Sequence, residues 1–489
     1  MNIWIKKIIE RYDKCVAWGA GNYYQMFHMI FDESISYIID QSEEKQGKVL
    51  NGHYIYPPSN LTEEDPEKSL IIVFNAEFDQ LCSEVEKYGA FDVIDASMVA
   101  VMYNEENDEE ILLETYNDIP NCVMVICGIR AFFAMNGSRK FIESQNDIIH
   151  KNGFKTLEVI PLDNYMKKGR EINYSMVSIN RKCLGVFTIE ELTERYYDLQ
   201  AVIIHSLYYQ HEFLEKILSS VSVKNHILYY LHDYYCICNN RFLFFKDKKC
   251  LNEHNRLICN SCPNNDMHIR IMEFHNKLFY KYHIVLVAPS NDTAGRVKEY
   301  LHYNNITVIP HLMYKEKDIY IKLKKKRRIA YLGGATFMKG WDGYSNLFDS
   351  LNDKYDFYCM GFCKSEQKKK GITYIEVSLN SDKNNKTMVE VLNGFDIDIA
   401  YIGSIWPETY SYTYYEAYEA GCFVITTLDS GNVCDQVNKN KNGLTFGSIE
   451  DMRLWLEDTE RVERDMMDKV HKCIYEVRSD ENFMTYLFQ

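Results

Sequence analysis

Short apolar runs, each followed by a glycine turn and a helical stretch, recur along this chain, and that alternation constrains its fold more than any other feature. Cys15 to Trp18 (CVAW) precedes Gly19-Ala20-Gly21 and a helical stretch to about Phe31, and a second run, Ser36 to Ile39, ends in Asp40. Leu70 to Phe74 follows the Pro57-Pro58 loop. Cys122 to Cys127 (CVMVIC) leads to Gly137-Ser138-Arg139 in a loop, a helical segment to about His150, the stop Gly153 and the run Thr156 to Ile160. A strand buried on both faces reads as a continuous apolar run, and strands alternating with helices build a parallel sheet covered on both sides. The fold class expected is therefore α/β. The pattern continues through Ala201 to Ile204, Ile227 to Leu231, Ile284 to Ala288 and Ile306 to Ile309. It resumes at Ile329 to Gly334, with a helix from about Asp342 to Ser350, and then Asp356 to Met360, Thr373 to Val377, Ile397 to Ile402 and Phe423 to Thr427.

A length of 489 residues gives about three domains at roughly 150 residues each. The acidic stretch Glu105 to Glu110 and Pro120 mark a first boundary, because like charges solvate and proline interrupts helix. The polar segment Tyr314 to Arg328, which ends in a run of lysines and arginines, reads as a second connection, and a helical region from about Ile449 to Val477 closes the pattern. Lys+Arg 55 against Asp+Glu 70 leaves a net charge of -15, the wrong sign for coating nucleic acid. The opening MNIWIKKIIERYDKC is too polar for a signal peptide, and no apolar run is long enough to span a bilayer, so a cytoplasmic location is expected. The basic run before Ile329 reads as a solvated linker or as a contact with anionic lipid headgroups. The 38 tyrosines are read as compositional drift.

The sharpest constellation is Trp406-Pro407-Glu408-Thr409-Tyr410-Ser411-Tyr412, continuing to Glu416 and placed directly after the run ending at Ile402. Pro407 and the hydroxyl residues put Glu408 in a loop and start a helix near Ser411 or Tyr412, with Glu416 one turn inside it. A helix start at the carboxyl end of a parallel strand favours a phosphate, since unpaired N–H groups and the helix dipole both attract anions. Glu416 can accept hydrogen bonds from the vicinal hydroxyls of a ribose, and Glu408 from a second sugar.

With these residues in place, positions 121 to about 475 resemble GT-B glycosyltransferases, and within them the retaining enzymes of glycosyltransferase family 4. The E-x7-E pattern falls on Glu408 and Glu416, and the donor-domain glycine loop on Gly333-Gly334-Ala335-Thr336-Phe337-Met338-Lys339. The resemblance implies two facing Rossmann-like domains: 119–312, carrying a cysteine-rich insert over 236–263, and 313–475. A smaller Rossmann-like module over 1–118 would precede them, and 476–489 would pack back on the acceptor domain. It implies transfer of a sugar from a nucleotide diphosphate sugar to a hydroxyl acceptor, a glycan or lipid-linked glycan of surface polysaccharide, with retained configuration and no metal in the reaction. Glu416 and Glu408 would hold ribose and donor sugar, Lys339 the diphosphate, Gly137, Ser138, Gly333, Gly334, Tyr410, Ser411 and Tyr412 would line the donor site, and His232, ahead of His205, would meet sugar or acceptor. An arginine that accompanies the lysine in this family is Gly334 here, which leaves Arg139 or Arg130 as substitutes.

Three other features stand beside this reading. Gly19, Gly21 and Asp40 have the order of a Rossmann nucleotide fingerprint, but Tyr24 occupies the third-glycine position. The module either binds a nucleotide or serves as scaffold. Cys238, Cys250, Cys259 and Cys262 follow C-x11-C-x8-C-x2-C, which fits either a structural zinc or free thiols, with Cys236 to spare. Two rival functions are an oxidoreductase or epimerase centred on Gly19 and Gly21, and a non-catalytic nucleotide-sugar-binding partner subunit.

Overall fold

The apolar runs form strands at nearly every expected place, in a computed structural model that describes residues 9–75, 78–96, 121–128, 137–161, 166–167, 174–193, 199–205, 207–208, 211–245, 248–249, 265–320, 324–377, 386–468 and 472–488. Contacts divide the chain into two compact units: residues 1–134, 146–227 and 488, and residues 135–145, 228–487 and 489. Among the described residues no helix is long and apolar enough to cross a membrane.

In the first unit, β1 (Lys14–Trp18), β2 (Ile35–Ile39), β3 (Val49–Leu50), β4 (His53–Tyr56), β5 (Ser69–Val73) and β6 (Asp92–Asp95) form one sheet in the order β3-β4-β2-β1-β5-β6. β4, β2, β1, β5 and β6 run parallel. The expected helix to Phe31 is shorter, Asn22–Phe27, and continues as two 3-10 turns. β7 (Cys122–Cys127), the helix Gly137–Lys151 and β8 (Lys155–Pro161) make the expected parallel βαβ pair. The two-residue β9 (Met166–Lys167) closes the edge of the first sheet against β6. β10 (Tyr174–Ile179) and β11 (Lys182–Thr188) were not anticipated: they form an antiparallel hairpin on β8, while β12 (Leu199–His205) runs parallel to β7 on its other side. The hairpin turns at Asn180 and Arg181, with φ 49 and 69, the left-handed pair that a tight two-residue turn demands.

In the second unit, β13 (Ile227–Tyr230) opens three parallel strands. A small hairpin of β14 (Phe244–Phe245) and β15 (Lys248–Lys249) follows, then β16 (Val285–Ala288) and β17 (Ile306–Val308). Ser290 caps the helix after β16 by accepting from the Thr293 N–H at 3.2 Å. The segment expected to be a connection is instead β18 (Leu312–Asp318), a strand that pairs antiparallel with β25 (Lys472–Ser479). The closing helical region accordingly stops at Asp468. Charged, solvated strands carry a weaker signal than a continuous apolar run: β18 ends in four exposed charged residues, and β25 alternates charged and apolar residues towards its end.

The remaining six strands, β19 (Arg328–Leu332), β20 (Asp356–Met360), β21 (Thr373–Ile375), β22 (Ile399–Tyr401), β23 (Phe423–Thr427) and β24 (Gly443–Phe446), form an all-parallel sheet ordered β21-β20-β19-β22-β23-β24. This is the doubly wound order of a Rossmann domain, whose direction of winding reverses between β19 and β22. Side chains alternate across it. Ile329, Tyr331, Ile399 and Tyr401 join the core with Trp341, Tyr344 and Trp455, whereas Ala330, Leu332, Ala400 and Ile402 join Tyr414 and Tyr418 on the opposite face.

Part of the basic run is paired within the protein, while Lys325 and Lys326 are exposed. Lys324 pairs with Asp396 and Asp398, Lys326 with Asp356, and Arg327 with Asp398 and Glu463. Lys322 lies outside the described residues.

Candidate functional site

The turns that follow β19 and β22 meet where the winding reverses, the place at which doubly wound sheets bind ligands. After β19 the chain turns through Gly333 (φ +99) and Gly334. A methyl group at Gly334 would meet nothing within 4 Å, and one at Gly333 only the Thr413 methyl at 3.8 Å. The turn is thus open, yet braced: the Tyr331 hydroxyl donates to the Gly334 carbonyl at 2.8 Å, and the Tyr401 hydroxyl to the Gly340 carbonyl at 3.1 Å. Some of the tyrosines read as drift therefore hold this loop. Lys339 ends a 3-10 turn, Phe337–Lys339, which Gly340 (φ 77) terminates. A side chain at Gly340 would collide with the Gly403 carbonyl at 1.9 Å, so the two loops touch backbone to backbone.

Glu408 sits in the loop after β22, 1% exposed. The Ser404 hydroxyl donates to its carboxylate, and Lys339 Nζ lies 2.8 Å from Oε1. A parallel bridge to Gly431 and a bond from the Asn432 N–H to the Glu408 carbonyl at 2.9 Å fix its backbone. The sequence singled out Glu408 and Lys339 separately; the structure joins them in an ion pair.

The helix Tyr412–Glu419 begins where expected, with Ser411 as N-cap. The Ser411 side chain caps none of the first N–H groups and instead bonds to the Thr413 hydroxyl at 3.0 Å. Tyr414, Tyr415, Ala417 and Tyr418 are buried, which turns Glu416 to the opposite side. There Lys140 Nζ lies 3.7 Å from Glu416 Oε1 and 5.0 Å from the centre of the Tyr412 ring. Burial raises the Glu416 carboxyl above its ordinary value, and Lys140 opposes that shift.

Gly137 and Ser138 are not in a loop: they form the first turn of the helix Gly137–Lys151, whose residues 137–145 belong to the second unit. A methyl group at Gly137 would lie 3.1 Å from the Tyr412 ring, so this glycine lets the ring rest on the helix. Arg139, one proposed substitute for the arginine, bonds instead to Glu143 on its own helix at 2.8 Å. Arg130 lies outside the described residues. Among the described residues the cation that reaches Glu416 is Lys140, which the sequence did not single out, because helix start and helix register decide which of two adjacent basic residues faces the site.

His232 follows β13, with Phe141 and Tyr230 at ring distances of 5.6 and 6.0 Å. Burial lowers its pKa to about 4, so the ring is neutral at pH 7. The Thr409 hydroxyl donates to the His232 carbonyl at 2.7 Å, tying His232 to the loop of Glu408. His311, also unanticipated, is sandwiched between Phe141 and Tyr410 with centroids 4.0 and 4.2 Å away. Burial and the neighbouring His232 hold His311 well below the usual histidine range. His205 ends β12 in the first unit and is fully buried.

The N-terminal glycine turn is arranged differently. The Asp40 carboxylate accepts from the Ala20 N–H at 2.7 Å and the Ser42 N–H at 2.8 Å, and pairs with Lys45 at 3.1 Å. A side chain at Gly19 (φ +111) would meet the Phe74 carbonyl at 2.9 Å, whereas Gly21 faces open space. Tyr24 is buried and packs edge-on against Phe74 at 5.0 Å. Of the cysteine set, Cys238 is described and Cys250, Cys259 and Cys262 lie outside the described residues. Among the described residues no group of three or more His, Cys, Asp or Glu is placed to hold a metal.

No protein-family model matches the chain, and a search of curated proteins returns no relative. Among solved structures, the chain is similar to sucrose-phosphate synthase of Thermosynechococcus elongatus, with TM-score 0.45 and 9% identity over 71% of this chain and 93% of that one. It is similar to a glycosyltransferase of Rickettsia africae, with TM-score 0.44 and 14% identity over 71% and 91%. It is also similar to the Anabaena protein HepE in complex with UDP and glucose, with TM-score 0.37 and 9% identity over 93% and 91%.

Proposed function

We propose that this chain is a GT-B glycosyltransferase of the retaining, family 4 type, which moves a sugar from a nucleotide diphosphate sugar to a hydroxyl acceptor. One observation carries the reading: the open Gly333-Gly334 turn, Lys339, Glu408 and the start of the Tyr412 helix converge at the carboxyl ends of β19 and β22. The helix N-terminus supplies unpaired donors for a diphosphate. Lys339 opposes the charge that grows on the leaving group, Glu416 accepts from the ribose hydroxyls and Glu408 from the donor sugar. Gly137, Ser138, Tyr410, Ser411 and Tyr412 border that space. A neutral His232 serves as a hydrogen-bond partner for the sugar or the acceptor hydroxyl. The three-part division at 1–118, 119–312 and 313–475 belongs to the same reading, as do a glycan or lipid-linked acceptor of surface polysaccharide, work at the inner face of the membrane, and zinc on Cys238, Cys250, Cys259 and Cys262 in a purely structural role.

The test is a thermal-shift panel of nucleotide sugars on the wild type and on Glu416→Ala. One nucleotide series should stabilise the wild type by the linkage of binding to folding, and the variant should lose most of that shift. A flat wild-type response to every series ends the proposal. A second reading, a nucleotide-sugar-binding partner without turnover, is favoured by the Lys339–Glu408 pair, which spends much of the lysine's charge inside the protein. Binding without release of nucleotide in the presence of acceptors would select it.

A further inference from the structure

Two lysines contact the acids of this site, and they are held very differently. Lys339 lies 2.8 Å from a carboxylate that is 1% exposed. Breaking that pair would leave Glu408 as a buried, unpaired charge, which is strongly unfavourable. Lys339 can therefore oppose the charge of a diphosphate only from beside Glu408. Lys140 lies 3.7 Å from Glu416 Oε1, beyond the 2.7–2.9 Å of a charge-assisted hydrogen bond. Its side chain is 52% exposed and that of Glu416 22%, so separating them leaves less charge away from water than separating Lys339 from Glu408 would. Arg139, the adjacent base, is engaged with Glu143 on its own helix.

A nucleoside diphosphate brings at least two negative charges together with a ribose diol. A ribose diol that takes both oxygens of Glu416 competes with Lys140 for Oε1, and the displaced ammonium remains over the Tyr412 ring, at 5.0 Å from its centre and beside the first turn of that helix. A lysine on its four-carbon stem moves between such partners by rotation about single bonds. We propose that Lys140 is an exchangeable diphosphate-binding residue: it pairs with Glu416 as seen here and transfers to the diphosphate when a ribose takes Glu416. The inference rests on the donor-site reading above and adds the group that completes the charge balance.

The experiment measures, on the full chain, the affinities of UDP, GDP and ADP and of the matching nucleosides by calorimetry, for the wild type, Lys140→Ala and Lys140→Arg. For the diphosphate that binds, Lys140→Ala should weaken affinity about tenfold, as expected for one lost charge-assisted contact. Nucleoside affinity should be no weaker than in the wild type, because Glu416 is no longer occupied. Lys140→Arg should retain the preference for diphosphate. Equal weakening of nucleoside and diphosphate would assign Lys140 a structural part only and overturn the proposal, as would an unchanged diphosphate affinity. A wild type that binds none of the three diphosphates would instead remove the donor-site reading itself, so the two failures are told apart.

Discussion

The two units each carry a glycine turn after the central strand of a parallel sheet, and the turns differ in what fills them. After β1, Asp40 reaches back to the Ala20 N–H, and Tyr24 fills the space beside Phe74. After β19, Gly334 faces open space, the same loop carries Lys339, and the neighbouring loop after β22 presents Glu408. Equivalent topology thus yields one turn whose Ala20 N–H is taken by Asp40 and one that leads into the Lys339–Glu408 pair, although Gly21 and Gly334 both face open space.

Alanine substitutions should break the two turns apart. Gly19→Ala introduces a side chain at φ +111 and 2.9 Å from the Phe74 carbonyl, a backbone collision plus conformational strain worth about 4 kcal/mol. It should appear as a large loss of the first unit in denaturant. Gly334→Ala should change stability by less than about 0.5 kcal/mol, yet abolish most of the nucleotide-dependent shift because the new methyl enters the open space. Equal stability losses at the two positions would show that both turns are packed alike.

The next effect concerns buried acids. Glu158 in β8 is fully buried and accepts from Thr156, Asn146 and the Arg181 N–H; burial raises its pKa from 4.5 to about 7. A carboxyl raised in the folded state favours folding in full below its unfolded value, and that contribution is lost as pH rises through the folded value. Between pH 4.5 and 7 the first unit should therefore weaken by up to about 3 kcal/mol. Hydrogen exchange of the β7 and β8 amides measures this, and Glu158→Gln should flatten the profile. Glu408 in the second unit has Lys339 as a counter-ion, and Glu158→Gln should leave exchange in that unit untouched. Smaller again, Asp40→Ala removes two backbone bonds to a carboxylate and should cost about 2 kcal/mol without altering any nucleotide shift. A lost nucleotide response in Asp40→Ala would move the donor site to the first unit.

Much of this was legible in the sequence because the central strands are buried on both faces. Asp356–Met360 and Phe423–Thr427 fall where the apolar runs put them, and the helix beginning at Tyr412 follows from the proline and hydroxyl residues before it. β18 and β25 escaped because their exposed positions are charged. Their pairing depends on residues far apart in the chain. Lys140 and His311 escaped for a related reason: neither lies in a motif, and each acquires its neighbours only when the Gly137 helix and the turn after β17 fold beside Tyr410 and Tyr412. The residues around Trp406 supplied Glu408 and Glu416 and the family resemblance supplied Lys339, but neither showed that Lys339 is bound to one of the acids.

The pairing of β18 with β25 also bears on how the protein is made. Lys472 reaches Glu316 across 156 positions of chain, so a ribosome exposes β18 long before it has synthesised the strand that covers it. During that interval the strand offers a bare edge to any neighbouring nascent chain. The charges along it, Lys315, Glu316, Lys317 and Asp318, are well suited to keep such neighbours away until the tail arrives.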